Sequence, residues 1–324
     1  MTIAGFDPKW ATFPDYIIGI TKEIWEGRDI ASLRQCYAPD IIVRMPGGIS
    51  FGNESVVAGT MATLSEFPDR QLLDDDVIWS GDPTGGMLSS HRISCTATHL
   101  NDGVFGIASG RKVAFRAIAD CHARRNVIDD EWLARDQGAI CQQLGTTAQA
   151  YARTLIDREG GPVSALKPFT PAQDKIGPYR GRGNDNQWGK RYADILTAIM
   201  AADFTVVARE YDRACRLAYP DGVEARSIGP AETFWMTLRA ALPSAEFTID
   251  HQIGNEDAML GPRAAVRWSL RGKHDGWGRF GPPTGADVYV MGFSHADFGP
   301  WGLRQETVVF DTVSVWKQIL IHKG

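Results

Sequence analysis

Two strand-like segments of the sequence each place an aspartate and a histidine two residues apart. The first, RAIADCHA, contains Asp120 and His122, and the second, MGFSHADF, contains His295 and Asp297. Because side chains alternate between the faces of a strand, each pair shares one face, with Cα atoms roughly 7 Å apart. Burial raises the pKa of a carboxyl group and lowers that of a histidine, and enolisation or aldol chemistry needs an acid and a base. We therefore predict Asp120 and His295 as catalytic groups and His122 and Asp297 as ligand-binding groups.

Structural roles explain the same residues equally well. Asp120 could pair with Arg116 on an exposed strand face, and His295 could form a hydrogen-bonded pair with Asp297 that only supports the fold. The sequence leaves both interpretations open.

The two segments occupy equivalent positions of an internal repeat. Aligning TATHLNDGVFGIASG with RGKHDGWGRFGPPTG places His99 on His274, 175 positions later, and the same offset places Asp120 on His295. A stretch rich in Gly, Pro and polar residues separates the copies. We predict two domains joined by a linker: residues 1–158, linker 159–185, and residues 186–324.

Each copy shows helical periodicity first and strand alternation afterwards. In the first copy, apolar stripes predict helices before and after a short strand at 41–45, and then only strands. The second copy repeats this order, with strands continuing to Ile321. Helices followed by antiparallel strands indicate an α+β fold in which the helices pack on one face of a curved sheet.

The second copy also contains G-x-G-x-x-G at Gly276, Gly278 and Gly281. A dinucleotide-binding loop requires a helix that begins at the third glycine. Here Pro282 and Pro283 follow, and then the strand-like ADVYVMGF. We therefore interpret these glycines as part of a hairpin.

That hairpin and several shorter motifs carry a family resemblance. In the second copy the hairpin reads GKHDGWGRFGPPTG and a strand follows it. The first copy keeps His99, Gly103 and Phe105 but has IASG in place of PTG. Further motifs are YAPDIIVRMPGG, SEFPD, DDEWLARD and QLG in the first copy and ALPSAEF in the second. Both copies resemble the SnoaL-like polyketide cyclases of the nuclear transport factor 2-like superfamily.

The resemblance implies two tandem cone-shaped α+β barrel domains. In the cyclases of this family, an aspartate on the strand after the hairpin acts as acid and base in a cofactor-free aldol closure, and Asp120 matches it. His295, at the equivalent position, departs from the pattern. The resemblance implies a cofactor-independent enzyme acting on a small polyketide-like carbonyl compound by aldol cyclisation, isomerisation or dehydration. The alternative, which we favour less, is a non-catalytic small-ligand-binding or scaffold protein built as an intramolecular pseudo-dimer, with further homo-oligomerisation open.

Other residues are candidates for ligand contacts. His99 and His274 enter the hairpins, where hydrogen bonds to the turn explain them slightly better than a ligand does. Large aromatic residues of the second copy predict a pocket there for an apolar or aromatic small molecule, whereas the first copy has smaller residues at the equivalent positions. These aromatic residues are Trp235, Trp268, Trp277, Tyr289 and Phe293. Glu131 and Glu306 also recur, and we interpret them as structural.

Composition excludes several classes of function. A net charge of −5 and an isoelectric point near 5.8, without a long basic run, argue against nucleic-acid binding. The five cysteines are scattered and no metal-ligand motif occurs, so we expect no disulfide framework and no metal site. Without a leader-like N-terminus or an apolar run of membrane-spanning length, we expect a cytoplasmic protein that does not bind membranes.

Overall fold

The computed structural model describes residues 3–324, which form two six-stranded sheets with the same strand order. The helices are α1 (Phe13–Thr21), α2 (Leu33–Cys36), α3 (Asn53–Glu66), α4 (Gln137–Leu144), α5 (Ala148–Arg158), α6 (Gln187–Met200), α7 (Thr205–Glu210), α8 (Ile228–Ala241) and α9 (Thr312–Lys323). The strands are β1 (Tyr37–Met45), β2 (Gly48–Phe51), β3 (Gln71–Asp82), β4 (Gly86–Thr98), β5 (Lys112–Arg124), β6 (Val127–Arg135), β7 (Tyr211–Tyr219), β8 (Val223–Arg226), β9 (Glu246–Asn255), β10 (Arg263–Lys273), β11 (Asp287–Gly299) and β12 (Gly302–Val309).

The predicted α+β fold with helices on curved sheets is confirmed, with two differences in the sheets. The order is β2-β1-β6-β5-β4-β3 in the first sheet and β8-β7-β12-β11-β10-β9 in the second. After β2, α3 leads to the far edge of the first sheet, and the antiparallel strands β3 to β6 return until β6 lies beside β1 and parallel to it. The second sheet follows the same path through α8, so that β12 lies parallel to β7. Both sheets are thus mixed, and within residues 3–324 neither closes into a barrel.

The end of each repeat is helical, so the expectation of strands up to Ile321 is wrong. Residues 312–323 form α9, and the first repeat continues after β6 with α4 and α5. Asp311 accepts a hydrogen bond from the Val313 amide (3.0 Å), and Asp136 accepts one from Ala139 (3.0 Å). Both are N-cap aspartates, a signal of helix initiation that strand periodicity alone overlooks.

Each sheet has an inner face that wraps around its own helices and an outer face that meets the other repeat. On β5, Phe115, Ala117 and Ala119 belong to the inner core, whereas Ile118 belongs to a separate apolar cluster. That cluster also contains Met291, Phe293 and Val309 of the second repeat. The outer faces of the two sheets therefore pack against each other, in the geometry of an intramolecular pseudo-dimer.

The segment between the repeats covers one end of this sheet–sheet interface. Phe169 joins the apolar cluster, and the Tyr179 amide donates to Asp130 (3.1 Å). Arg44 is fully buried there and pairs with both Asp130 (2.5 Å) and Asp174. The predicted boundaries of this linker, 159 and 185, stay a prediction. No helix in residues 3–324 is both long and apolar enough to cross a membrane.

Candidate functional site

A cavity of about 850 Å³ lies inside the first repeat, between α3 and the inner face of its sheet. Its apolar wall includes Val43, Met45, Phe67, Phe115 and Leu133. A smaller cavity of about 70 Å³ shares part of the lining and continues towards α1. The residues common to both are Trp25, Tyr37, Arg70, Phe115, Glu131, Leu133 and Arg135.

Small residues of the first repeat create this space. Thr60 and Ile93 border the cavities, and the residues 175 positions later are Trp235 and Trp268. Both tryptophans are fully buried and pack edge to face, with ring centroids 5.9 Å apart. The interior of the second repeat is thus filled by its own side chains, at the close packing typical of protein cores.

Glu131 is the titratable group best placed for proton transfer in the large cavity. It lies on β6 opposite Val43 of β1, and only 5 % of its surface is exposed. Burial raises its pKa to about 7, although Arg135 and a hydrogen bond with Tyr37 oppose this shift. A carboxyl group with a pKa near neutrality can both accept and donate a proton under physiological conditions.

Glu306, the equivalent residue of the second repeat, is held by four hydrogen bonds. The hydroxyl groups of Tyr192, Tyr211 and Tyr219 donate to its carboxylate at 2.9, 2.7 and 2.6 Å, and the Trp235 indole donates at 3.2 Å. This arrangement satisfies the hydrogen-bonding capacity of a fully buried carboxylate, as expected of a group that supports the core.

Two arginines give the cavity positive charge. Arg70 precedes β3 and is 4 % exposed, and its Nε has no hydrogen-bond partner in the described part of the chain. Burial, followed by repulsion from Arg135, lowers the Arg70 pKa to about 10. Arg135 is the last residue of β6, is exposed to solvent, and also lines both cavities. The cavity lining therefore contains one buried and one solvent-exposed guanidinium group.

The structure brings the predicted catalytic pair together in the sheet–sheet interface. Asp120 is on the outer face of β5, directly opposite Ser90 of β4, and its carboxylate is 3.6 Å from Arg267. The Ser90 hydroxyl contacts Nε2 of His295 at 2.9 Å. Burial raises the Asp120 pKa and lowers that of His295 well below its usual value. A catalytic role for these two residues stays a prediction, and neither lines the large cavity.

The outer face also holds the two residues predicted as their ligand-binding neighbours. His122 contacts Asp129 through Nδ1 (2.6 Å), and Asp297 lies 3.7 Å from Arg92 of the first repeat. These contacts lie within or between the sheets, away from the lining of the large cavity.

His99 and His274 contact their hairpins. Nδ1 of His99 is 3.1 Å from the Ser109 hydroxyl, and Nδ1 of His274 is 3.0 Å from that of Thr284. His99 also approaches Glu66 at 3.2 Å. These are the turn contacts that the sequence favours for both histidines, and a ligand role for them stays a prediction.

The aromatic residues predicted to bind a ligand lie in three different environments. Trp268 is in the filled core of the second repeat, and Phe293 and Tyr289 are in or against the sheet–sheet cluster. Trp277 is on the surface with 70 % exposure. The sequence predicts a pocket in the second repeat, but large side chains occupy the interior of that repeat. In the described residues, the cavity of about 850 Å³ lies in the first repeat.

The sequence pattern predicts a structural role for Glu131 and Glu306, because they recur at equivalent positions, and this stays a prediction for both. The pattern does not indicate Tyr37, Arg70 or Arg135 as cavity residues. The available signal was the contrast between repeats: Ala245 and Phe310 replace Arg70 and Arg135 at the equivalent positions.

The fold and the cavity define a class: a curved mixed sheet wrapped around helices, enclosing a pocket that could hold a small molecule. Residues 16–144 match the family model described as SnoaL-like polyketide cyclase. This confirms the predicted resemblance over most of the first repeat, although the match spans less than half of the chain. No curated protein sequence matches the chain.

Several solved structures match about the length of one repeat. IdmH of Streptomyces antibioticus, described as a candidate polyketide cyclase, is 24 % identical, with a TM-score of 0.37, over 41 % of this chain and 98 % of its own. A candidate polyketide cyclase of Acidithiobacillus ferrooxidans is 19 % identical (TM-score 0.36; 40 % and 92 %). AclR of Streptomyces galilaeus, described as a candidate hydroxylase, is 17 % identical (TM-score 0.36; 41 % and 83 %). Their similarity supports no statement about activity.

Proposed function

We propose that the first repeat is a cofactor-independent enzyme of the SnoaL-like type that uses Glu131 as its acid and base. The substrate is a small, largely apolar carbonyl compound of polyketide-like character. Glu131 removes a proton from the carbon next to the carbonyl group, and the enolate then closes a ring by aldol addition or returns the proton at another position. The observation that carries this proposal is that Glu131, a carboxyl group with a pKa of about 7, faces a large cavity.

The surroundings of Glu131 support this chemistry. A volume of about 850 Å³ is within the range of small-molecule pockets, and the wall is mostly apolar. The apolar wall keeps the Glu131 carboxyl group largely protonated below neutral pH, and Tyr37 provides a hydroxyl group beside it. Burial, reinforced by Glu131, holds the Tyr37 pKa well above its usual value, so this hydroxyl can donate a hydrogen bond to a developing oxyanion.

A specific observation favours a scaffold role for the second repeat. Its interior is filled, and its outer sheet face supports the first repeat. Asp311, at the start of α9, also contributes to the lining of the first repeat's cavity. We propose that the second repeat acts as a built-in, non-catalytic partner domain.

Solvent exchange on a simple ketone tests Glu131 directly. The full-length protein is incubated with 2-tetralone and related aryl ketones in deuterated buffer, and α-proton loss is followed by NMR. We expect the wild-type exchange rate to rise through about pH 7 as Glu131 ionises. Glu131→Gln should slow exchange by about 10²- to 10⁴-fold, the usual contribution of a general base.

Asp120→Asn provides the competing arm of this experiment. If Glu131 is the base, the Asp120 variant exchanges protons at close to the wild-type rate, because Asp120 faces the other repeat. Loss of exchange in Asp120→Asn with retention in Glu131→Gln would overturn the assignment. Absence of exchange by the wild-type protein with every ketone of the panel would contradict the proposed reaction itself.

A further inference from the structure

We propose that the natural ligand of the first-repeat cavity carries a carboxylate, which binds between Arg70 and Arg135. The proposal rests on the proposed function only in that both concern the same cavity. It adds a substrate class, an anionic carbonyl compound, and two residues that determine specificity.

Neither guanidinium group forms a close ion pair with the described residues of the protein. Ion pairs with N···O distances up to 4.0 Å occur elsewhere in residues 3–324, for example Arg44–Asp130, but none involves Arg70 or Arg135. Arg70 is nevertheless buried, and the two positive charges repel each other. Buried charges in proteins are normally paired, since an isolated charge loses its hydration without compensation.

The carboxyl groups that line the cavity are already engaged. Glu66 accepts hydrogen bonds from the amides of Val104 (3.1 Å) and Phe105 (2.8 Å). Asp311 caps α9 and accepts from Ser314 (2.5 Å) and Gln137 (2.7 Å). Glu131 is largely protonated below pH 7. The buried charge of Arg70 therefore has no ion-pair partner among the described residues, and a ligand carboxylate would supply one, with the exposed Arg135 beside it.

Arginine suits this task by its geometry. The planar guanidinium group presents parallel N–H donors that match the two oxygens of a carboxylate. The Nε of Arg70 is buried and unpartnered among the described residues, so a donor is already directed into the protein interior without an acceptor. An anchored carboxylate would leave the apolar body of the ligand against Phe67, Phe115 and Leu133.

The second repeat provides an internal comparison. Ala245 and Phe310 replace Arg70 and Arg135 there, and both are buried in the apolar core. The two cations thus occur together only in the repeat whose interior is open, as expected if they serve a ligand rather than the fold.

The test compares two probes that differ in charge. Anthraquinone-2-carboxylate and anthraquinone-2-carboxamide are titrated into the full-length protein by isothermal calorimetry at pH 7. We expect the carboxylate to bind about 10- to 100-fold more tightly, the range for hydrogen bonds to charged groups. Equal affinities, or failure of the carboxylate to bind, would overturn the proposal.

Arg70→Met and Arg135→Met locate the effect. Each variant should reduce carboxylate affinity towards that of the carboxamide and leave carboxamide affinity unchanged. Arg226→Met, at an exposed position of β8, is the matched control and should retain the full preference. Arg135 ends a strand, so its variant carries the test if Arg70→Met does not fold. A preference that persists in Arg135→Met contradicts the proposal.

Glu131→Gln separates this proposal from the proposed function. It should keep or strengthen carboxylate binding, because it removes an acidic group from the cavity, while proton exchange on 2-tetralone is lost. If the protein binds the carboxylate and the carboxamide equally and Glu131→Gln loses proton exchange, only the proposal of an anionic substrate is rejected. A preserved carboxylate preference together with retained exchange in Glu131→Gln rejects only the catalytic assignment.

Discussion

Glu131 and Glu306 occupy equivalent positions on the last strand of each sheet, yet their surroundings differ in every polar contact but one. Glu306 receives hydrogen bonds from three tyrosines and a tryptophan. The first repeat retains one of these donors, Tyr37, which pairs with β6 as Tyr211 pairs with β12. Ile17 and Thr60 stand 175 positions before Tyr192 and Trp235, and Met45 ends β1 as Tyr219 ends β7, where the offset is 174.

The same exchange of residues decides the volume of each interior. Phenylalanine and tryptophan at 234 and 235 stand where the first repeat has Gly59 and Thr60. A few positions on two helices and two strands thus distinguish a packed core from a cavity on a common scaffold. The repeat with the open interior also has a buried arginine, Arg70, and an exposed one, Arg135, that form no ion pair within the described residues, so the comparison separates residues that stabilise the fold from residues that we propose bind a ligand.

Opening the second interior should have the largest effect. We expect Trp235→Thr, which introduces the first repeat's residue, to lower the free energy of unfolding by about 3–5 kcal/mol, because it creates a cavity and removes a donor to Glu306. Urea denaturation measures the change. Trp277→Thr, at a position with 70 % exposure, is the control and should stay within about 0.5 kcal/mol of the wild type.

A loss below about 1 kcal/mol in Trp235→Thr would mean that the second interior is not held by aromatic packing. The contrast between a filled and an open repeat would then fail.

Glu131 should reveal its environment through the pH dependence of stability. Its folded pKa of about 7 exceeds the usual 4.5, so the folded state holds the proton more tightly than the unfolded state does. Stability therefore falls as pH rises from about 4.5 to about 7. Glu131→Gln removes the cost of ionising a buried carboxyl group. It should therefore raise the free energy of unfolding by at most about 3 kcal/mol at pH 8, with little change at pH 4.

Urea unfolding at both pH values measures this difference, with Glu246→Gln as the control at an exposed position. Destabilisation by Glu131→Gln at pH 8 would show that Glu131, like Glu306, is a satisfied structural carboxylate.

The sequence predicted the fold well because the relevant signals are local or repeated. Helical stripes followed by strand alternation indicated α+β, and the offset between His99 and His274 aligned the two copies. The terminal helix α9 was missed because its apolar residues are spread around its axis: Val313, Val315 and Ile319 are all buried. Its clearest signal was a single capping residue, Asp311.

The site was harder to predict because both faces of each sheet are buried. Alternation correctly grouped Ile118, Asp120 and His122 on one face, but it does not indicate which face encloses the interior. In a single exposed sheet the polar face would be the solvated one. Here the other repeat covers it, and acidic and basic side chains occur on both sides. Residue size also does not indicate where a pocket lies, because a large aromatic residue can line a pocket or fill it.

Filling the first interior is the reciprocal test and should have a smaller energetic effect. Gly59→Phe introduces the residue that stands at Phe234, and a Cβ at Gly59 meets no atom within 4 Å, so the new ring can enter the cavity. We expect the affinity for anthraquinone-2-carboxylate to fall about 100-fold, equivalent to about 2.7 kcal/mol, with folding preserved because phenylalanine is tolerated better than glycine in a helix. Calorimetric titration measures the loss, and Met61→Phe, on the exposed side of α3, is the control. Unchanged affinity in Gly59→Phe would place the binding site outside this cavity. The open interior would then not explain a difference in function between the two repeats.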